Sequence, residues 1–152
     1  MKYIFLTILT FLVDRVTKIK AKEKLKNKEK KVIFKGNINL ELYQNKGIIL
    51  GHLRNKKELV MLLNIVSLVL TVAMFILGVF KFDTNKIFKS GISILLGGAL
   101  GNVYDRIKQG SVTDFFSFKF KPNIIFNLAD MFIFIGSIFI VISELFYKRW
   151  NV

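Results

Sequence analysis

Asp114 and Asp130 differ from the other acidic residues considered below because neither has a lysine or arginine three or four positions away. Residues at those spacings share a helix face and can neutralise one another. These two carboxylates therefore need some other partner, and each is the obvious candidate for the other. Two carboxylates brought close together cannot both ionise easily, so they share one proton and titrate as a unit. Such a pair can do the chemistry of an aspartic protease. The ionised member takes a proton from water while the protonated one polarises the carbonyl under attack, with no covalent intermediate. Little else is available for catalysis. The sequence has no cysteine, which removes thiol nucleophiles, disulfides and thiolate metal sites. Its single histidine, His52, cannot build a His-rich zinc site and leaves almost nothing for a Ser-His pair.

Other polar residues sit in equally apolar surroundings. Asp14 and Lys18 are four apart and face the same way, as a structural ion pair would. Asp105 and Arg106 are adjacent and also read as a structural pair. Asn102 and Arg106, again four apart, share a helix face and could hold neighbouring groups. Asn45 and Gly47 lie in a loop ahead of an apolar run, and Asn127 stands three residues before Asp130.

The elements that must position these groups are membrane elements. Of 152 residues, 53% are hydrophobic and the mean hydropathy is +0.47, an excess that needs lipid. Leu59 to Phe80 is uncharged. As a helix rising about 1.5 Å per residue it covers the roughly 30 Å hydrocarbon core. A further span is predicted at about 87–105, where Gly97, Gly98 and Ala99 permit close helix packing. The last is predicted at about 124–147, long enough for a tilted crossing. Tyr3 to Val13 has the length of a signal-peptide core, but no A-x-A-like cleavage site follows, so we read an uncleaved first helix at about 3–19. Between the first two helices, Asn39 to Tyr43 alternates and glycines punctuate the segment, predicting a small β element at about 31–54, outside the membrane. The expected fold is an all-α membrane protein of four transmembrane helices in one domain, 1–152, with that β element added.

Four successive spans alternate in direction, so the end of the first helix, the end of the third and the start of the fourth share one side. Asp14, Lys18, Asn45, Gly47, Asn102, Asp105, Arg106, Asp114, Asn127 and Asp130 all fall there. An Asp in mid-helix costs about 2.5 to 3.5 kcal/mol on insertion scales, so such a cluster needs a reason. Placement near the headgroups is the plain one, and a catalytic site is the other.

The net charge of +14 raises the question of nucleic acid, which the long apolar runs exclude. Charge also bears on orientation. Fourteen Lys and Arg lie between the first two spans, and Arg106, Lys108, Lys119 and Lys121 lie between the last two. The opposite side holds only Lys2, Lys81, Lys86, Lys89, Lys148 and Arg149, so charge bias alone puts the polar cluster in the cytoplasm. The Lys-rich run at 18–35 reads equally as a contact for anionic headgroups or as a solvated helix or coil.

Taken in order, FLVDRVTK at 11–18, QNKGIILG at 44–51, GGALGNVYDRIKQGSVTDF at 97–115 and FNLAD at 126–130 resemble the sequence blocks of the bacterial lipoprotein signal peptidase family, signal peptidase II. The likeness covers nearly the whole chain. It implies an aspartic endopeptidase that removes the signal peptide of a prolipoprotein just before a cysteine already carrying a diacylglyceryl group. The family's catalytic aspartates fall on Asp114 and Asp130. Its other motif residues fall on Asp14, Lys18, Asn45, Gly47, Asn102, Asp105, Arg106, Asn127 and Ala129. Asn45 and Arg106 would help hold substrate, while Asn102 and Asn127 would support the site. The resemblance further implies no cofactor and no metal. The partners it implies are the lipidated precursor and membrane lipids, with a monomer compatible. It places the chain in the bacterial cytoplasmic membrane with both termini in the cytoplasm and the polar cluster on the outer face, against the charge bias. Arg15 stands where the family often has Gln, Thr113 where Val is usual, Ile49-Leu50 replaces a commoner Ala-Phe pair, Pro122 sits early, and the segment from Asp114 to Asp130 is short.

Two other functions compete. A small transporter or channel subunit would want polar residues through both leaflets, yet the 59–80 span offers only Asn64, Ser67 and Thr71. A Mg²⁺-dependent membrane enzyme could use Asp14, Asp105, Asp114 and Asp130 as oxygen ligands, but no HExxH or comparable ligand spacing occurs.

Overall fold

A computed structural model describes residues 1–25, 30–47 and 55–150, the last four as backbone only. Residues 48–51 of the second motif, with Ile49 and Leu50, as well as His52, the end of the expected β region and residues 26–29 of the Lys-rich run, lie outside the described residues.

Four long helices form the scaffold: α1 (Lys2–Lys24), α2 (Lys57–Ile76), α3 (Lys86–Gln109) and α4 (Leu128–Trp150). Three are long and apolar enough to cross a membrane, over Lys57–Lys81, Lys86–Gln109 and Leu128–Phe146. The first of these runs on from α2 through a π-helical turn, Leu77–Lys81. α1 carries Asp14, Arg15 and Lys18 within its apolar part and falls outside that group. Large apolar side chains such as Leu62, Val69, Leu70, Val141 and Leu145 point outward, the inverse of a soluble protein's surface, as lipid-facing helices require.

α3 is the centre of the bundle, and glycine puts it there. A Cβ on Gly97 would collide with Thr10 of α1, one on Gly98 would meet the Ala129 carbonyl of α4 at 2.6 Å, and one on Gly101 would strike the Asp14 carboxylate. Close approach of this kind is how membrane helices gain packing energy where no water drives them together. On the far side, Phe75 of α2 packs on Ile92 and Leu96 of α3. At its start the Asn85 side chain accepts from the Phe88 N–H at 2.9 Å, while at its end Gly110 takes a left-handed conformation with φ 69°.

The all-α expectation is corrected by a four-stranded antiparallel sheet. β1 (Lys31–Ile33) and β2 (Ile38–Asn45) come from the region expected to hold the β element, but β3 (Val112–Phe118) and β4 (Lys121–Phe126) come from a segment read as a loop, and the order is β1-β2-β3-β4. Val112, Thr113, Phe115, Phe116 and Phe118 are strand-favouring residues. Both faces of β3 are largely covered, so the alternation that betrays a half-exposed strand is missing. The fourth helix accordingly begins at Leu128 and not near Ile124, the first continues to Lys24, and the third to Gln109.

Candidate active site

β3 and α4 bring Asp114 and Asp130 to one place. β3 follows directly on α3 through Gly110, and its pairing with β2 sets Tyr43 opposite Asp114 and Asn45 opposite Val112. β4 returns the chain to Asn127, where α4 starts. Asn127 and Asp130 form a reciprocal N-terminal cap. The Asn127 N–H donates to Asp130 Oδ2 at 3.1 Å, and the Asp130 N–H donates to Asn127 Oδ1 at 3.0 Å. The Asn127 oxygen is thus committed, which turns its amide nitrogen outward to donate to Asp114 Oδ1 at 2.6 Å. One residue therefore touches both carboxylates.

Two further asparagines are oriented in the same way. Asn45 accepts from the Gly47 N–H at 3.0 Å through Oδ1 and donates through Nδ2 to Asp114 Oδ2, also at 3.0 Å. Asn102 accepts from Lys18 Nζ at 3.0 Å and donates to Asp130 Oδ1 at 2.8 Å. In each case a partner holds the oxygen and aims the N–H₂ group at a carboxylate. Which end of an amide points where is thereby a consequence of the network.

Lys18 is completely buried in α1, and its ammonium lies 2.9 Å from Asp14 and 3.3 Å from Asp105. Asp14 also accepts from the Ala129 N–H at 3.0 Å, tying α1 to the first turn of α4, where Ala129 has no exposed surface. Asp105 is held by Arg15 and accepts from the Thr113 N–H at 3.1 Å, fixing the start of β3. The Arg15 guanidinium in turn stacks over the Tyr104 ring at 4.5 Å. The expected Asp105–Arg106 pairing is thus replaced by pairing across helices. Adjacent residues on a helix point about 100° apart and do not face each other. Arg106 turns the other way, donating through Nη2 to the Gly47 carbonyl at 3.0 Å.

Asn45, Asn102, Arg106, Asp114 and Asp130 border one open cavity of about 600 Å³, whose remaining wall is mostly apolar, with Ile124, Phe126, Met131 and Ile133. Asp14, Lys18, Asp105, Asn127 and Ala129 lie behind it and position what lines it. The structure thus gathers all eleven motif residues, with Gly47 attached through its backbone. Burial pushes the Asp114 carboxyl up to about 7, reinforced by the negative charge of Asp130 and opposed by the hydrogen bonds from Asn127 and Asn45. Arg15 is an additional positioning residue that motif reasoning treated only as a departure. Its signal was a cation one residue from Asp14 at the end of the helix's apolar run.

A helical membrane scaffold that opens a cavity onto two interacting carboxylates has the architecture of a membrane-embedded hydrolase. The family model described as Signal peptidase (SPase) II matches residues 6–146. Similar curated proteins include lipoprotein signal peptidases of Clostridioides difficile, 32% identical over 97% of both chains, and of Caldicellulosiruptor bescii, 33% identical over 98% of this chain and 99% of the relative. That of Caldanaerobacter subterraneus is 35% identical over 88% of this chain and 90% of the relative. A solved bacterial membrane enzyme superposes with a TM-score of 0.84 at 29% identity, covering 99% of this chain and 92% of the other. The chain belongs to the signal peptidase II family, and with it to the peptidases that process prolipoproteins in membranes. The transporter reading finds no support.

Proposed function

We propose that the chain is an aspartic endopeptidase that cleaves prolipoproteins before the diacylglyceryl-modified cysteine, with Asp114 and Asp130 as its catalytic pair. The observation that carries this reading is the double attachment of Asn127, which donates from its side chain to Asp114 and from its backbone to Asp130, the two carboxylates that line one cavity. Near neutral pH the pair holds one proton, and burial favours Asp114 as its carrier. Asp130 takes a proton from water as that water attacks the scissile carbonyl, and Asp114 gives its proton to the carbonyl oxygen. The tetrahedral diol then collapses: one of its hydroxyls returns a proton to Asp114 as the carbonyl re-forms, the C–N bond breaks, and the leaving nitrogen takes a proton from Asp130, which restores the singly protonated pair. Asn45 and Arg106 hold the substrate backbone. Asn102, Asn127, Lys18, Asp14, Asp105, Gly47 and Ala129 keep the pair and its donors in place.

Both carboxylates and their partners come from one chain, which supports a monomer. In this reading α1 is a fourth span, both termini lie in the cytoplasm, and the sheet and carboxylates lie at the outer face of the bacterial cytoplasmic membrane. The charged stripe of α1 is neutralised against α3, which makes a crossing affordable for a helix whose composition argues against one. The substrate is recognised through its lipid because the cavity is mostly apolar and reaches the membrane helices.

The test is cleavage of a lipidated and an unlipidated precursor by purified variants, with thermal unfolding followed in parallel. Asp114→Asn and Asp130→Asn should each abolish cleavage without loss of folding, the double variant should be hardly worse, and the unlipidated precursor should not be cut. Substantial activity in a folded single variant sinks the catalytic assignment. Equal turnover of both precursors removes lipid recognition and leaves a general peptidase.

A further inference from the structure

Three polar residues interrupt α2, whose span has a mean hydropathy of 2.7, and they are not equivalent. Thr71 donates its hydroxyl to the Ser67 carbonyl one turn back, and neither residue borders the cavity. A Ser or Thr satisfies its single O–H in this way and is cheaply carried in a membrane helix. Asn64 does border the cavity, together with the carboxylates. Its amide donates one N–H to the Val60 carbonyl at 2.6 Å, and an amide has a second N–H and a carbonyl oxygen besides. Self-satisfaction explains the first of these groups, and the other two have no partner among the described residues in a mostly apolar wall.

The cavity has a second polar point at that depth. Ser137 of α4 also lines it, two helical turns or about 10 Å beyond Asp130; its hydroxyl donates to the Ile133 carbonyl at 2.8 Å, which leaves the oxygen as an acceptor. α2 and α4 run the same way from the site, and Asn64 lies about 10 Å from the Lys57 end of its helix. Asn64 and Ser137 thus add polar groups to the same groove on helices that lead away from the carboxylates, each about 10 Å along its own helix.

A bond about to be hydrolysed has to leave the helix of the signal peptide. The last carbonyls of that helix and the N–H groups of the extended segment then lose their partners, in surroundings where no water replaces them. At about 3.3 Å per residue, 10 Å of extended chain is about three residues. We propose that Asn64 is a positioning residue that hydrogen-bonds the unwound backbone of the signal peptide about three residues before the cleaved bond. This rests on the peptidase reading above and adds to it the place where the signal helix ends.

The experiment uses the purified full chain in lipid nanodiscs and a synthetic diacylglyceryl lipopeptide precursor. One series of substrates has a backbone ester in place of the amide at the second, third or fourth residue before the cleaved bond. Asn64→Leu should raise KM about threefold to tenfold, the size of one neutral hydrogen bond, with kcat within about twofold. Asn64→Gln should recover part of the loss. One ester should weaken cleavage by the unaltered protein by a similar factor and have no further effect on Asn64→Leu, the mark of a shared contact. Unchanged KM in a folded Asn64→Leu variant, or ester and Leu effects that simply multiply at every position, overturns the proposal. An active Asp114→Asn variant would overturn the peptidase mechanism instead, so the two failures are distinguishable.

Discussion

Asp114 and Lys18 show how burial makes a charged side chain useful. With Asp114 raised from its ordinary value of 3.8 to about 7, the folded chain holds a proton that the unfolded chain releases near pH 4. The stability this proton contributes is full below about pH 4 and is lost as pH rises through about 7. Thermal unfolding from pH 5 to pH 8 should therefore show the melting temperature falling. Asp114→Asn should flatten that slope, and an unaltered slope counts against the shift. Cleavage should decline through the same window as the shared proton leaves, giving an alkaline limb near pH 7. Lys18 does two jobs, neutralising Asp14 and Asp105 and holding the Asn102 oxygen. Lys18→Met should cost about 3 to 5 kcal/mol, as loss of one partner from a buried ion pair does. Adding Asp14→Asn should restore much of the melting temperature but not the cleavage rate, since Asn102 still lacks its donor. Recovery of both would show that Lys18 is structural alone.

Helix α3 depends on what its glycines leave out. Gly101 makes room for the Asp14 carboxylate, which in turn receives the Ala129 N–H, so three helices converge on a position without a side chain. Gly101→Ala should destabilise by about 1 to 3 kcal/mol, typical of overpacking, and should lower activity more than Gly36→Ala, where an added Cβ meets nothing within 4 Å and the cost is the strain of a left-handed φ of 92° far from the carboxylates' supports. Melting temperature and cleavage rate measured on both variants decide it. A harmless Gly101→Ala would mean that α1 and α3 can separate freely. The β3–β4 hairpin has the complementary task. It carries the chain from the end of α3 back to the start of α4 while setting Asp114 opposite Tyr43 of β2, so a strand and not a free loop presents one of the two carboxylates.

For the molecule as a whole, the proposed orientation sets charge bias against the location of the chemistry. With α1 counted as a span, as proposed, eighteen Lys and Arg fall on the side that bears the carboxylates, against six on the other. Part of that charge is internally neutralised. Arg15 and Lys18 are paired with Asp105 and Asp14, and Lys30 lies 3.0 Å from Glu41. Cysteines introduced at Lys35 and Thr84 test the topology with a reagent that cannot cross the membrane. It should label position 35 and spare position 84, and the reverse pattern would invert the chain.

The presence of membrane spans, and a carboxylate pair lacking cations of its own, were legible in the residues because both depend on local quantities. A hydrophobic run must be long enough to cross lipid, and a charge in such a run must have a partner within reach of its own helix face. The ordered blocks around Asp14, Asn45, Asp105, Asp114 and Asp130 carried the family in the same local way. What the tertiary structure decided was who pairs with whom. Asp105 goes to Arg15 and Lys18 of α1 and not to its neighbour Arg106, since adjacent side chains diverge on a helix while helices brought together by Gly97 and Gly101 do not. β3 and β4 could not be read from periodicity, because a strand covered on both faces has no polar side to alternate with. The orientation of Asn45, Asn102 and Asn127 was likewise beyond sequence. An amide's two ends are nearly alike in shape, and only Gly47, Lys18 and the start of α4, arriving from three separate parts of the chain, turn their donors onto the carboxylates.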